Sequence, residues 1–345
     1  MKKAVIAAAL AGLSGTAAHA QSSVTLYGVV DMGFEHLTNA NAAGQAQNAL
    51  LSGKWLPSRW GLKGTEDLGG GMKALFMLEN GFNANDGSFS SPGVEFNRSA
   101  WVGLSSSTVG TLTLGRQYSV QFDKTLFYDP TLFGAYSILS LNLIPVQTQR
   151  VNNSVKFKSN EYAGFSAEAM YGFGQQLPGN ASAGRYVGAG LEYLSGGFGA
   201  SASYERTNGS VGAVDQSGLV DQRWSVAARY DFGPVMVSGG MARITGDLHL
   251  TPVGSVYWAA TKWNATSALS LIGEVGHYRF QQAPGHPTFA EATAQYRLSL
   301  RSILYANVGY YNNSGGSAFG VNGYTNVGQL GKSQVGMSVG IQHRF

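Results

Sequence analysis

The chain closes on Gln334-Val335-Gly336-Met337-Ser338-Val339-Gly340-Ile341-Gln342-His343-Arg344-Phe345. Val335, Met337, Val339, Ile341 and Phe345 alternate with Gln334, Gly336, Ser338, Gly340, Gln342 and Arg344. Successive side chains of a β-strand point to opposite faces, so this is a strand with one apolar and one polar face. Three further stretches repeat the pattern. Ala292, Ala294, Tyr296 and Leu298 alternate with Glu291, Thr293, Gln295 and Arg297; Trp224, Val226, Ala228 and Tyr230 with Arg223, Ser225, Ala227 and Arg229; Phe165, Ala167, Ala169 and Tyr171 with Ser166, Glu168 and Met170.

Composition decides which face is inside. The 345 residues hold 48 Gly, 12% aromatics, only 12% charged residues and no Cys. Soluble domains carry about a quarter charged residues. Met1-Lys2-Lys3, the apolar run from Ala4 to Leu13 and Ala18-His19-Ala20 read as a secretory signal peptide over residues 1–20, with the working chain at 21–345. Removing its two Lys leaves 21 basic residues (23 − 2) against 19 acidic ones, without a basic run for nucleic acid. After Gln21 no apolar stretch approaches the roughly 18 residues of a membrane-crossing helix. A secreted β-sandwich or β-helix is the alternative. An exported, Gly- and Tyr-rich, poorly charged chain fits better a barrel with lipid-facing apolar residues and a polar, watered interior. Phe157, Tyr171, Tyr193, Phe198, Tyr230 and Tyr296 end the stripes, as interfacial rings do.

The connections alternate in length. Short turns are predicted at 66–70, 105–109, 159–162, 195–197, 231–234, 264–267 and 299–302. Longer polar segments are predicted near 37–48, 83–94, 117–149, 175–183, 208–219, 246–251, 281–288 and 312–332. Seven short and eight long connections separate sixteen strands, starting near Ser22 and ending at Phe345. The expected fold is therefore all-β, a 16-stranded antiparallel transmembrane β-barrel, closed strand on strand because a bilayer tolerates no open edge. Sixteen strands leave room for a channel. Short turns are expected in the periplasm and long loops outside.

Residues 117–149 are the exception among the loops. Phe122, Leu126, Phe127, Tyr128, Leu132, Phe133, Tyr136, Ile138, Leu139, Leu141, Leu143 and Ile144 crowd them. A loop so long is usually functional, and this one is too apolar to stand in water. The expectation is that it folds into the lumen and narrows it; a subunit contact or an outer lid is the alternative.

Several stretches resemble the general porins of Gram-negative bacteria, of the β-proteobacterial type found in Neisseria and Burkholderia relatives. They are 22–31 (SSVTLYGVVD), 58–71 (SRWGLKGTEDLGGG), Phe96-Asn97-Arg98, Val102-Gly103-Leu104, 110–117 (GTLTLGRQ), 150–155 (RVNNSV) and the terminal Phe345. They spread in order over the chain from Ser22 on. The resemblance implies a homotrimer of sixteen-stranded outer-membrane barrels, with the third loop in the lumen and basic wall residues facing acidic loop residues.

Passage through such a constriction depends on its width and fixed charge. Arg59 shares a face with Gly61, Lys63 and Thr65; Arg150 shares one with Asn152, Ser154, Lys156 and Lys158; both faces read as lumenal. The resemblance adds Arg98 and Arg116 as basic candidates. Strict alternation instead sets Arg98 with Ala100 and Val102, and Arg116 with Leu112 and Leu114, on lipid faces. An Arg at the lipid midplane costs about 2–4 kcal/mol, which favours a bulge at Gly115 that turns Arg116 inward. Asp123 and Asp129 are the loop's acidic candidates, with Lys124 between them; Asp31 and Glu79 are lumenal by alternation and are candidate partners of the Arg residues.

The function expected is passive diffusion of small hydrophilic solutes and ions, with mild anion preference, in contact with outer-membrane lipids. A sugar- or organic-anion-specific channel is the second reading; Tyr27, Tyr128 and Tyr305 could contribute, but no ordered aromatic track is visible. An outer-membrane hydrolase is the third, opposed by six dispersed His without metal-ligand spacing. No enzyme activity, cofactor or metal is expected.

Overall fold

The computed structural model describes residues 22–134, 136–139, 149–281, 285–324 and 327–345. The signal-peptide expectation for residues 1–20, and residues 135 and 140–148 of the long loop, lie outside them.

The strands are β1 Ser23–Leu37, β2 Gln47–Ser52, β3 Arg59–Gly69, β4 Met72–Gly81, β5 Ser99–Ser106, β6 Gly110–Tyr118, β7 Arg150–Ser159, β8 Phe165–Gly172, β9 Tyr186–Ser195 and β10 Phe198–Asn208. They continue as β11 Val220–Asp231, β12 Val235–Gly246, β13 Gly254–Asn264, β14 Leu269–Phe280, β15 Thr288–Arg297, β16 Ser302–Asn312, β17 Phe319–Gly320, β18 Gly323–Tyr324 and β19 Gln334–Arg344. One helix, α1 Val120–Thr125, follows β6. β17 and β18 form a small hairpin apart from the wall.

The other seventeen strands form one antiparallel sheet that returns on itself. β1 pairs β19 from Val29↔Arg344 to Leu37↔Gly336. On its other side it pairs β3 along Ser23–Val29 and β2 along Met32–Leu37. β2 and β3 are thus one strand of the wall, interrupted at residues 53–58, and the wall has sixteen members. Gly28 and Phe345 close the seam by exchanging backbone hydrogen bonds of 3.0 and 3.1 Å. The Phe345 ring lies on Gly28, where an added Cβ would come within 2.2 Å of it, so only glycine fits. Because the sheet closes on itself, the described wall presents no open strand edge to hydrocarbon.

The faces divide as alternation requires. On β19, Met337, Val339 and Ile341 are exposed while Gln334, Ser338 and Gln342 are buried. On β11, Trp224 and Val226 are exposed while Asp221, Arg223 and Ser225 are buried. The wall turns its apolar side outward and its polar side inward, the arrangement a lipid surround stabilises. Seven tight turns sit at one end, such as Gly69-Gly70-Gly71, all three at positive φ. Eight longer connections sit at the other.

Two irregularities escaped the pattern. The break at 53–58 follows Gly53 at φ +70 and precedes Pro57, which has no N–H for a ladder. It buries Lys54, Trp55 and Leu56. The second is a register shift between β6 and β7: Gly115 pairs Ser154, but Gln117 pairs Val151. The extra residue lies on β7, where Asn153 takes φ +49, and Gly115 itself sits at φ +137.

The segment after β6 packs on the polar face of the wall. Ser119 caps α1, accepting from the Phe122 N–H. The Val120 and Gln121 N–H groups donate to Tyr186 Oη (3.1 Å) and Glu205 Oε2 (3.3 Å) on β9 and β10. Further on, the Tyr136 and Ile138 N–H groups donate to Glu291 (2.9 Å) and Glu274 (3.1 Å) on β15 and β14. Wall carboxylates thus satisfy backbone donors that a loop in a dry place would leave unpaired. Tyr136, Ile138 and Leu139 bury against Val256, Trp258, Tyr278 and Tyr311, which forms the largest apolar cluster among the described residues.

Candidate constriction site

A cavity of about 810 Å³ lies between β3–β7, the 53–58 break and the segment following β6. Its lining carries six basic side chains, Lys54, Arg59, Arg98, Arg150, Lys156 and Lys158, against two acidic ones, Glu79 and Asp123.

Glu79 and Tyr118 organise this charge. Glu79 accepts from Arg98 Nε at 2.7 Å and from Tyr27 Oη at 2.8 Å, and Arg59 Nε stands 3.6 Å away. The Tyr118 oxygen accepts from Arg98 (2.6 Å) and Arg150 (3.1 Å), and the Arg150 guanidinium lies 4.7 Å from the Tyr118 ring centroid. The ring stacks on Phe122 of α1 at 4.1 Å. One tyrosine therefore holds two guanidinium groups with their charged forks toward the cavity and ties them to the loop. Below them Lys156 pairs with Asp123 at 2.5 Å and with Glu168 at 3.4 Å.

Of the eight acidic and basic residues selected by sequence, Arg59, Arg98, Arg150, Glu79 and Asp123 meet in this cavity. Arg98 does not obey strict alternation. It precedes β5, where the backbone is irregular, and its side chain turns to Glu79 instead of lipid. Arg116 does not join them. Despite the irregularity beside it, its register partner is Ala100, on the outward face, and it donates to the Asn97 carbonyl (2.7 and 2.9 Å) and to Asn152. Asp31 is lumenal but pairs with no Arg: fully buried, it accepts from the Trp55 and Leu56 N–H groups, Tyr305 Oη and Gln342 Nε2. It fixes the 53–58 break.

Asp129 is also fully buried and organises the loop itself. It accepts from Thr131 N and Oγ1 at 2.7 Å, Phe133 N at 3.0 Å and Ser137 Oγ at 2.6 Å. Burial raises its carboxyl above the usual carboxylate range, although these four donors pull the other way. A carboxyl with a raised folded-state pKa stabilises fully below its unfolded value, and that contribution is lost as pH rises through the folded one. Current noise from loop motion is therefore expected to grow as pH rises through the raised range of this carboxyl in the wild-type channel. Asp129→Asn is expected to abolish that dependence; equal pH dependence in both would contradict it.

Sequence reasoning missed Tyr118, Lys54 and Trp55. Lys54 forms a buried pair with Glu35 at 2.6 Å. The Gly53…Pro57 spacing was the available signal for the break that carries Lys54 and Trp55 inward. Tyr118 had none, since its role depends on which arginines the loop brings to it. Tyr27, Tyr128 and Tyr305 form no track: each hydroxyl is engaged with a carboxylate, Glu79, Glu192 and Asp31 respectively.

The family model described as Gram-negative porin matches residues 4–316. Outer membrane porin protein 32 of Delftia acidovorans is 34% identical to this chain over 370 aligned residues, covering 100% of both. An outer membrane porin of Bordetella pertussis is 34% identical, over 71% of this chain and 70% of its own. Among solved structures, the anion-selective porin from Comamonas acidovorans superposes with a TM-score of 0.81 at 28% identity, covering 94% of this chain and 100% of its own. A closed wall that turns its apolar side to lipid has these outer-membrane channels as its relatives, and the chain belongs to the Gram-negative porin family.

Proposed function

We propose that this outer-membrane porin passes small hydrophilic solutes and ions passively, with preference for anions, through a lumen narrowed by residues 117–149. The observation that carries the preference is the cavity lining, six basic side chains against two acidic. Fixed charge of one sign raises the local concentration of counter-ions and lowers that of co-ions. The solved relative described as anion-selective supports the same sign. The inward position of the loop is supported by its contacts with Glu35, Glu205, Glu274 and Glu291, all buried positions on the polar face of the wall. Fold and family point to a channel without enzymatic activity. The family resemblance extends the proposal to a homotrimer, which an SDS-resistant band that collapses to one-third of its mass on heating would support.

Purified folded protein is expected to give discrete conductance steps in a planar bilayer. In a KCl gradient the reversal potential is expected on the anion side. Steps without selectivity, or cation preference, would reject the assignment of Arg59, Arg98 and Arg150, with Lys156 and Asp123, as the selectivity site.

A further inference from the structure

The tyrosines inside the wall differ in what their hydroxyls meet. Tyr27, Tyr128, Tyr136, Tyr186 and Tyr305 donate to carboxylates, those of Glu79, Glu192, Glu35, Glu205 and Asp31 respectively. Tyr118 does the reverse. Its hydroxyl oxygen accepts from Arg98 at 2.6 Å and from Arg150 at 3.1 Å. Its backbone carbonyl accepts from Lys156 Nζ at 3.0 Å. Half of the six cations lining the cavity therefore converge on one residue that brings no carboxylate to them. A carboxylate in this place would hold the guanidinium groups more strongly but would cancel part of their charge. A hydroxyl orients them and leaves the charge for a passing anion.

Arg150 depends on this contact more than Arg98 does. Arg98 also has Glu79, at 2.7 Å. Arg150 donates otherwise to the Gln149 amide oxygen, at 2.7 Å, and its buried Nε has no hydrogen-bond partner among the described residues. The Tyr118 ring, in turn, belongs to the loop. It stacks on Phe122 of α1 with planes 9° apart, and Phe122 meets Phe133 edge-on at 5.1 Å between centroids. Phe133 is fixed by Asp129 through its N–H, at 3.0 Å. Three rings in succession thus join the arginine forks to the turn that Asp129 holds. Tyr118 packs there against the same apolar cluster that seats Tyr136 and Ile138.

We propose, resting on the anion preference put forward above, that Tyr118 is a positioning residue that makes ion preference follow the position of the loop. With the loop seated, the two forks are held toward the passage. When α1 lifts, the acceptor moves with it and Arg150 is released. The test reads reversal potentials of the whole protein in a KCl gradient across a planar bilayer. Tyr118→Phe keeps the ring and the net charge and removes the acceptor. The anion-to-cation permeability ratio is expected to fall about threefold although no charge has changed. Phe122→Leu breaks the ring contact at the loop end and is expected to lower the ratio by a similar factor, and the two changes together no further than either alone. In an R98Q/R150Q background Tyr118→Phe is expected to leave the ratio where it was, since the groups it positions are gone. A residue that merely kept the passage narrow would lower the ratio in that background too, and such a fall would overturn the proposal. An unchanged ratio in the folded Tyr118→Phe protein would overturn it as well, as would effects of Tyr118→Phe and Phe122→Leu that multiply. If Tyr118→Phe does not fold, Phe122→Leu with and without R98Q/R150Q makes the same comparison. A wild-type channel without anion preference would overturn the proposed function together with this role of Tyr118, whereas a wild-type preference that Tyr118→Phe retains would overturn the role alone.

Discussion

Changing Arg59, Arg98 and Arg150 together to glutamine is expected to move the reversal potential in a KCl gradient from the anion side almost to zero. The three supply half of the six basic charges lining the cavity, and their loss leaves Lys54, Lys156 and Lys158 against Glu79 and Asp123. A unit charge at roughly 8 Å in water-like dielectric contributes about 0.5 kcal/mol, or about a factor of two in ion preference. Acting with opposite signs on anion and cation, three such charges change the anion-to-cation permeability ratio by up to about sixtyfold, less at high salt because of screening. Arg116→Gln is the control. Its guanidinium sits on the Asn97 carbonyl at the outward face, so it is expected to leave the reversal potential where it was. A shift as large for Arg116 as for the triple variant would mean that selectivity is set by the net charge of the protein and not by the cavity wall.

The same residues link selectivity to stability. The Arg98 and Glu79 side chains are 11% and 8% exposed and only 2.7 Å apart. Removing one partner of a buried pair costs about 3–5 kcal/mol, because the remaining charge is left desolvated. Arg98→Gln alone is therefore expected to lower the unfolding midpoint, and Arg98→Gln with Glu79→Gln to recover most of the loss. Arg59 still stands near Glu79, which moderates the single change.

Tyr136→Ala is expected to have the largest effect on conductance. The residue is 1% exposed and tied at three atoms. Its N–H donates to Glu291 (2.9 Å), its hydroxyl to Glu35 (2.9 Å), and its carbonyl accepts from Tyr311 Oη (2.8 Å). Its ring fills a slot on the wall made by two glycines: a Cβ on Gly309 would meet the ring at 2.8 Å and one on Gly336 at 2.9 Å. Truncating a buried aromatic costs about 3–5 kcal/mol in packing alone. That loss falls on the loop and not on the wall ladder, so the barrel is expected to remain folded while the loop loosens and single-channel conductance and noise both rise. Gly309→Val, which blocks the slot without touching Tyr136, is expected to do the same. Unchanged conductance in both variants would show that this loop does not limit the pore.

The sequence by itself determined the wall. Period-two alternation, carried by residues such as Val335, Met337, Val339 and Ile341, is a local property of the strand, and lipid outside with water inside turns it into a fixed inside and outside. Connection lengths were legible for the same reason, since turn residues act on their own backbone. Arg59 could likewise be assigned to the lumen from its neighbours, but Arg150 could not: the extra residue at Asn153 takes it off the face of Ser154, Lys156 and Lys158, and it reaches the cavity beside Tyr118 at the strand's end. Only the tertiary structure decided the remainder of the site. Arg98 faces Glu79 because it lies just outside the regular strand, where alternation no longer holds. Arg116 faces outward although Gly115 invites a bulge, because the extra residue went into β7 at Asn153. Asp129 and Asp31, acidic residues in a suitable place, hold backbone turns and not solute, since each is surrounded by donors from distant parts of the chain or its own loop. The signs of charge along a strand are written in sequence, but which charges meet depends on backbone breaks and on a loop held by Glu35, Glu205, Glu274 and Glu291. Those contacts span up to 155 residues and leave no local trace in the chain.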